Sequence, residues 1–392
     1  MKVIAFYLPQ YHSIKENDLW WGKGYTEWDS LKRGTILTDK QYQPRVPLNQ
    51  NYYNLLDIDV MRWQTSLAKK YGVYGFCVYH YWFNGKLLLE KPMENFLNSD
   101  IDFPFFFCWA NENWTTVWEG NTKTLKTLIA HNYEDRSDWK KHFDYLLLFF
   151  KDERYIKEDN KPILVIYDPV LCKYSTLKKM LSYWNELAIL NGFDGIKYFY
   201  QSPRSLFMMT MKERKLFDSG IEYCPSINDA EDTIKRNRFR QRIINRVSYF
   251  LRKINKSLLD KKEDIENQKY DVKIIQNYDE EWGKIISRTP LNNNIYPGAF
   301  VDWDNTPRRM KKGKVILGAN PDKFKHYFKQ QIIRAKAVYK KDMIFVFAWN
   351  EWSEGGYLEP DETYRYAYLE AIRESLIETN EFPNSLKNGQ DR

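Results

Sequence analysis

Short, almost continuously apolar segments recur along the chain and alternate with longer stretches in which apolar positions follow helical spacing, as in residues 60–68. A segment that is apolar on both faces suits a strand covered by other layers on both sides. Alternation of such strands with helices is typical of a parallel sheet. The apolar segments number eight and lie at residues 3–8, 74–79, 103–109, 163–167, 196–200, 221–224, 297–301 and 343–349.

Eight strands alternating with helices predict an α/β fold, a (β/α)8 TIM barrel. The 392 residues could hold two average domains, but a barrel with insertions reaches this length as one unit. We therefore predict a single catalytic domain over residues 1–392.

Polar and aromatic side chains follow most of the predicted strands, where a barrel gathers its strand ends on one rim and places its active site. A lone histidine in an aromatic strand, such as His80, is as well explained as a core group. Asp302, Asn305, Arg308 and Arg309 could bind substrate hydroxyls or an acidic group, or form surface ion pairs. The candidate substrate-binding residues on this rim are Tyr7, His12, His80, Trp109, Asn111, Glu112, Asp302 and Asn350.

The strongest chemical signal is the pair Glu351 and Glu354, which follows the last predicted strand. A spacing of three residues in a turn or first helical turn directs both side chains to the same side. Cleavage of a glycosidic bond needs one carboxyl group to protonate the leaving oxygen and a second to act as base or nucleophile. A plain helix N-terminus, where acids are favoured, is the alternative. The flanking Trp349, Asn350 and Trp352 favour catalysis.

Composition supports a carbohydrate site and indicates neither a cofactor nor a metal. Aromatic residues make up 17% of the chain, with 14 Trp and 29 Tyr, and amphipathic rings can cover the C–H face of a sugar. The four cysteines are scattered and suggest neither disulfides nor a zinc site. Phosphate-binding glycine loops, paired-histidine helices and nucleophile elbows are absent from the sequence.

The start of the chain and its charge bear on location. A strand-like segment directly follows Met1 without a signal-peptide pattern, and no stretch approaches about 18 apolar residues, so we expect a cytoplasmic protein. Residues 235–262 carry eleven Lys and Arg against one acid, within a basic helical insertion predicted at about residues 231–270. A solvated basic helix explains this segment. The alternative is a peripheral contact with anionic lipid head groups, or with a lipid-linked or acidic glycan. Nucleic acid is not expected as a partner.

Several motifs in order resemble the WbsX-type family of bacterial surface-polysaccharide (O-antigen and capsule) loci, whose members are commonly labelled glycosyltransferases. That family is similar in turn to the endo-α-mannosidases of glycoside hydrolase family 99. The matching segments are residues 6–12 (FYLPQYH), 20–28, 75–83, 109–114, 303–309 and 348–355 (AWNEWSEG).

The resemblance implies that Glu351 and Glu354 fill the two catalytic positions. Glu351 would be a base on the sugar's own 2-hydroxyl, giving a 1,2-anhydro intermediate. Glu354 would be the general acid and later base, so its pKa should be raised while Glu351 stays ionised.

Three functions fit these observations. The first is a retaining glycosidase or transglycosidase acting on an α-linked, mannoside-like glycan in surface-polysaccharide metabolism. The second is a glycosyltransferase of lipopolysaccharide or capsule biosynthesis that uses an activated sugar donor. The third is a non-catalytic glycan-binding barrel. The expected partner is a glycan or a lipid-linked oligosaccharide.

Overall fold

The computed structural model describes residues 1–116, 126–236 and 274–383, and its centre is a sheet of parallel strands that curves into a nearly closed barrel. The strands are β1 Lys2–Tyr7, β2 Val73–Phe83, β3 Lys86–Leu88, β4 Phe105–Trp109, β5 Trp114–Thr115, β6 Thr127–Ile129, β7 Lys157–Glu158, β8 Lys161–Ile166, β9 Lys197–Tyr200, β10 Ser219–Ile221, β11 Ile274–Asn277, β12 Ile295–Tyr296, β13 Gly298–Phe300, β14 Lys314–Leu317, β15 Met343–Phe347, β16 Asn350–Glu351 and β17 Gly356–Tyr357.

Helices connect the barrel strands and cover their outer face. They are α1 Lys15–Trp21, α2 Glu27–Leu31, α3 Ile58–Tyr71, α4 Lys91–Leu97, α5 Arg136–Phe150, α6 Tyr174–Leu190, α7 Pro203–Met208, α8 Met211–Arg214, α9 from residue 226 to the last described residue before the gap, 236, α10 Tyr278–Ser287, α11 Thr306–Arg309, α12 Pro321–Arg334 and α13 Ala367–Glu378.

The barrel path runs β12-β10-β9-β8-β4-β2-β1-β15-β13, and each neighbouring pair is parallel. The strands at its two ends, β12 and β13, are consecutive in the chain and separated by Pro297. Proline has no N–H to donate to a ladder, so the pairing changes at this residue. The predicted segment 297–301 contains β13, which pairs with β15, whereas β12 precedes the segment and pairs with β10. The two ends of the path therefore lie next to each other in the chain. The predicted α/β barrel is confirmed.

The predicted strand positions agree closely with the observed ones, with two informative differences. The strand predicted at 74–79 extends to Phe83 and turns back through β3 as an antiparallel hairpin. The strand predicted at 221–224 lies earlier, at Ser219–Ile221. Gly220 is needed there, since an added Cβ would lie 2.6 Å from the ring of Tyr200.

Alternation along the barrel strands decides which side chains enter the barrel. On β1, the ring of Phe6 packs inside, 5.9 Å from Tyr79 and 5.8 Å from Tyr223. The next side chain, Tyr7, points outward and donates to Gln64 of α3 at 2.7 Å. Because consecutive residues of a strand face opposite sides, the same alternation governs every strand end on the rim.

The predicted basic insertion cannot be compared with the structure, because residues 237–273 lie outside the described part of the chain. The same holds for most of the segment 235–262 proposed for membrane contact. None of the helices in the described part of the chain is long and apolar enough to cross a membrane.

Candidate active site

A cavity of about 300 Å³ opens where the carboxyl ends of the barrel strands meet. Six of the residues singled out in the sequence line it, namely Glu112, Asn305, Arg308, Arg309, Glu351 and Glu354. Its remaining wall is rich in aromatic side chains, whose rings can cover the C–H face of a sugar. These are Trp21, Tyr25, Tyr79, Tyr81, Trp114, Tyr167, Tyr223 and Trp303.

The segment that carries the two glutamates is a tight turn held between β16 and β17. Its central residues, Trp352–Glu354, form one turn of 3₁₀ helix that ends at Gly355, with φ of +71°. Glycine adopts this left-handed conformation without steric cost. At Gly356 an added Cβ would lie 2.3 Å from the ring of Phe347. The backbone therefore lies so close to the barrel that a residue with a side chain would clash with this ring. The turn therefore presents both glutamates to the cavity.

Asn350 fixes this turn to the end of β1. Its Oδ1 accepts from the Leu8 N–H at 2.8 Å, and its Nδ2 donates to the Leu8 carbonyl at 3.0 Å. The Tyr11 hydroxyl donates to the Asn350 carbonyl. The side-chain amide of Asn350 is fully buried, and its hydrogen bonds go to the backbone of Leu8. Asn350 therefore holds the adjacent Glu351 in position.

One guanidinium, that of Arg308 in α11, joins the two predicted catalytic residues to a third carboxylate. Its Nη1 lies 2.8 Å from Glu354 Oε1 and its Nη2 lies 3.3 Å from Glu351 Oε2. The same Nη2 lies 2.7 Å from Oε1 of Glu27, the first residue of α2. Asp304 adds a backbone link, because its N–H donates to the Glu354 carbonyl at 2.8 Å. Three acids therefore share one buried cation.

This arrangement favours a mixture of ionised and neutral carboxyl groups. Burial raises the pKa of Glu351 to about 8, against the opposing effect of Arg308 and with a further rise from Glu354. Burial also raises the pKa of Glu27. Ionising all three acids would leave a net negative charge in a low-dielectric site. The raised pKa of Glu351 differs from the expectation that this residue stays ionised near neutral pH.

Glu112 occupies another part of the cavity wall. Burial raises its pKa to about 7, and the nearby Asp168 raises it further. Nη2 of Arg204 lies 3.7 Å from Oε1 of Glu112 but only 2.5 Å from Oδ2 of Asp168. The guanidinium therefore stabilises mainly the carboxylate of Asp168. A carboxyl group that can be neutral or ionised near pH 7 can donate to or accept from a substrate hydroxyl.

Three other predicted substrate-binding residues, Tyr7, His80 and Trp109, point away from the cavity. Nε2 of His80 lies 2.9 Å from Nε2 of His142 in α5, and burial lowers the pKa of His80 to about 3. The Trp109 ring packs on Trp184 of α6. These side chains lie between the barrel and its helices, which suits a packing role.

The remaining predicted residues also lie outside the cavity lining. His12 is buried, and burial lowers its pKa to about 4. Asn111 forms two hydrogen bonds with the Asp168 backbone. Its Oδ1 accepts from the Asp168 N–H at 2.8 Å, and its Nδ2 donates to the Asp168 carbonyl at 3.0 Å. Asp302 forms a buried ion pair with Arg45 at 2.7 Å. Substrate contact by any of them stays a prediction.

Sequence reasoning missed several residues that do line the cavity. Tyr79 and Tyr81 flank the outward His80 on β2, and Glu27 lies in a motif that had no assigned role. Alternation along β2 was the available signal, since any strand with His80 outside must place both tyrosines inside. Nothing in the local sequence brings Glu27 to Arg308.

A further acid, Glu359, supports the turn that carries Glu351 and Glu354. It accepts hydrogen bonds from Trp352 at 2.7 Å, Gln64 at 2.7 Å, Tyr53 at 2.9 Å and Trp349 at 3.0 Å. Burial raises its pKa to about 7, while these donors oppose the rise. Within the described residues, no group of three or more His, Cys, Asp or Glu has the geometry of a metal site.

Comparison with known sequences shows similarity to one family over nearly the whole chain. A family profile described as Glycosyltransferase WbsX matches residues 3–372. Two proteins named Uncharacterized protein WxcX, from Xanthomonas campestris pv. campestris strains B100 and ATCC 33913, are each 32% identical over 384 residues. The match covers 95% of this chain and 49% of theirs, so the chain spans about half the length of these relatives.

Solved structures share the fold at low sequence identity. Two structures of the GH99 endo-alpha-mannosidase from Bacteroides thetaiotaomicron, one of them in complex with bis-tris propane, align with TM-scores of 0.54 and 0.52. They are 12% and 13% identical, and each alignment covers 99% of this chain and 98% of the other. A protein titled Glycoside hydrolase-like protein aligns with a TM-score of 0.51 at 13% identity, over 95% of this chain and 93% of its own.

Proposed function

The chain belongs to the WbsX family, and we propose that it is a retaining glycosidase or transglycosidase that uses Glu351 and Glu354 on an α-linked, mannoside-like glycan of surface-polysaccharide metabolism. The observation that carries the proposal is the shared contact of both glutamates with Arg308 at the wall of one aromatic cavity.

The chemistry requires one carboxyl group to be ionised and the other to be protonated when the reaction begins. Three acids around one guanidinium support such a mixed state, because the first ionisation is stabilised by Arg308 and each later one is opposed by the charge already present. In the proposed reaction Glu351 removes the proton of the sugar 2-hydroxyl, and that oxygen displaces the leaving group at C1. Glu354 protonates the leaving oxygen. Glu354 then deprotonates the water or sugar hydroxyl that opens the 1,2-anhydro ring, and the opened oxygen takes a proton from Glu351.

Transfer from an activated donor is the second candidate, and one side chain favours it. Arg309 lines the cavity, is exposed, and forms no ion pair with any described residue. A free guanidinium suits the phosphate of a nucleotide-linked or lipid-linked sugar. The description of the family as a glycosyltransferase points the same way.

Product analysis tests the proposal. The wild type, Glu351→Gln and Glu354→Gln are incubated with the polysaccharide of the strain that carries the gene and with its lipid-linked precursor. We expect cleavage or transglycosylation of the glycan, with the anomeric configuration of the product retained, by the wild type only. Glu186→Gln, an exposed position on α6, is the matched control and should keep full activity.

Two outcomes contradict the proposal. Turnover that depends strictly on a nucleotide-linked or lipid-linked donor supports the transferase. Glycan binding without turnover, unchanged by either cavity substitution, supports a non-catalytic glycan-binding barrel.

A further inference from the structure

Asn17, on α1, has a buried amide without a hydrogen-bond partner in the part of the chain that the structure describes. The side chain lines the cavity and its exposed fraction is 0%. Neither Oδ1 nor Nδ2 finds a partner among the residues that the structure describes. Buried amides in folded proteins are nearly always hydrogen-bonded, because leaving them unpaired costs free energy.

Contacts of the residues around Asn17 anchor helix α1 at the cavity. Glu16 forms an ion pair with Lys86 of β3 at 2.5 Å. Asp18 accepts from the Gly24 N–H at 2.8 Å, which closes the turn that follows the helix. The neighbour Trp20 packs on Trp114, with ring centroids 5.7 Å apart. The unpaired amide is therefore a fixed feature of the cavity wall.

A second group without a partner among the described residues belongs to another lining residue of the same cavity. The indole Nε1 of Trp303, which follows β13, is buried and has no hydrogen-bond partner in the described chain. Asn17 and Trp303 come from opposite ends of the sequence, yet both leave polar atoms unsatisfied at one cavity. Together they offer two kinds of donor and one acceptor.

We propose that Asn17 and Trp303 bind the ring hydroxyls of the sugar in this cavity and determine which sugar is accepted. Oδ1 of Asn17 accepts from one hydroxyl and Nδ2 donates to the adjacent one, while Nε1 of Trp303 donates to another oxygen. The substrate is then a glycosyl unit with two adjacent free hydroxyls. A deoxygenated or acylated unit at that position would leave the amide unpaired and be rejected. This inference rests on the proposed function, since it supplies the sugar contacts of that site.

The test combines glycan binding with thermal stability. Asn17→Leu keeps the size of the side chain and removes both polar atoms. Trp303→Phe removes the indole N–H and the part of the ring that carries it. Binding of oligosaccharides, released from the strain's surface polysaccharide by partial acid hydrolysis, is measured calorimetrically in the non-reacting Glu354→Gln protein. We expect Kd to rise about 10-fold for each substitution.

Stability separates a binding role from a structural one. Replacing an unpaired buried amide by an apolar side chain removes a cost, so Asn17→Leu should keep or raise the Tm. Asn228→Leu is the matched control, because that buried amide donates to Glu281 at 2.7 Å and its loss should lower the Tm.

An unchanged Kd, or a Tm that falls as in the Asn228 control, would overturn the inference. Failure of Glu354→Gln to bind any of the oligosaccharides would instead count against the proposed function. The Tm of Asn17→Leu would still decide whether the amide is structural.

Discussion

Nη1 of Arg308 lies 2.8 Å from Oε1 of Glu354, and both side chains are largely withdrawn from solvent, with exposed fractions of 8% and 18%. Through its other nitrogen the same guanidinium reaches Glu351 and Glu27. The charge balance of the three carboxyl groups therefore depends on the guanidinium of Arg308.

We expect Arg308→Met to remove this balance. Three carboxyl groups would be left without a cation, so the pKa of Glu351 would rise further and the site would lose its ionised member. Removing one partner of a buried ion pair costs about 3–5 kcal/mol of folding free energy. Activity should fall by about 100-fold or more, since an aimed charge at a reacting centre contributes on that scale. Steady-state kinetics and denaturant unfolding measure the two effects.

Arg309→Met is the matched control for this substitution, because the adjacent side chain has the same charge but is exposed. Its unfolding free energy should match that of the wild type. Equal stability of both variants would show that Arg308 does not hold the carboxylates together.

The pH dependence of kcat/KM should report the raised pKa of Glu351. As the proposed base on the 2-hydroxyl, Glu351 must be ionised, so we expect kcat/KM to rise with pH up to about 8. A kcat/KM that does not rise over this range would instead show that the protonated form reacts. It would exchange the roles of Glu351 and Glu354.

Thermal unfolding checks the same pKa independently of turnover. The folded-state pKa of Glu351 lies above its ordinary value of 4.5, so its contribution to stability is fully present below pH 4.5. That contribution is lost as pH rises through about 8. The Tm of the wild type should therefore fall more steeply between pH 5 and pH 9 than that of Glu351→Gln, while Glu186→Gln should follow the wild type.

Leaving-group dependence should separate the two glutamates. A glycoside whose phenolic leaving group needs no protonation makes the acid unnecessary in the first step. We expect Glu354→Gln to lose about 10²–10⁴-fold in kcat/KM on the natural glycan but much less on this substrate. Glu351→Gln should be inactive on both. Equal losses for Glu354→Gln on the two substrates would exclude it as the general acid.

The direction of alternate side chains on β2 predicts different effects for neighbouring substitutions. Tyr81 lines the cavity, whereas His80 bonds to His142 behind the barrel wall. Tyr81→Ala should raise KM several-fold, because it removes a cavity wall. His80→Ala should lower the Tm and leave KM close to the wild-type value. A rise in KM for His80→Ala without loss of stability would restore His80 as a substrate-binding residue.

Sequence patterns were sufficient to predict the barrel, whereas the choice of Glu351 and Glu354 as catalytic residues stays a prediction. Strand positions follow from short apolar segments, and the spacing of Glu351 and Glu354 is a local property of one turn. The same patterns predicted the substrate-binding residues less well. They identified residues near the strand ends, but Tyr7, His80 and Trp109 lie on the outer face of the barrel. Each is one position away from a side chain that enters the barrel.

The amino-acid sequence by itself determined the parallel barrel, the rim where its strands end and the two acids that follow the last barrel strand. Periodicity and spacing are local, so they can be read from neighbouring residues. Only the tertiary structure decided that Arg308 joins Glu27 to Glu354, that burial raises the pKa of Glu351, and that the amide of Asn17 has no partner among the described residues. Charge pairing, desolvation and unpaired polar groups depend on distances between segments far apart in the chain, such as Glu27 and Arg308, which folding alone establishes.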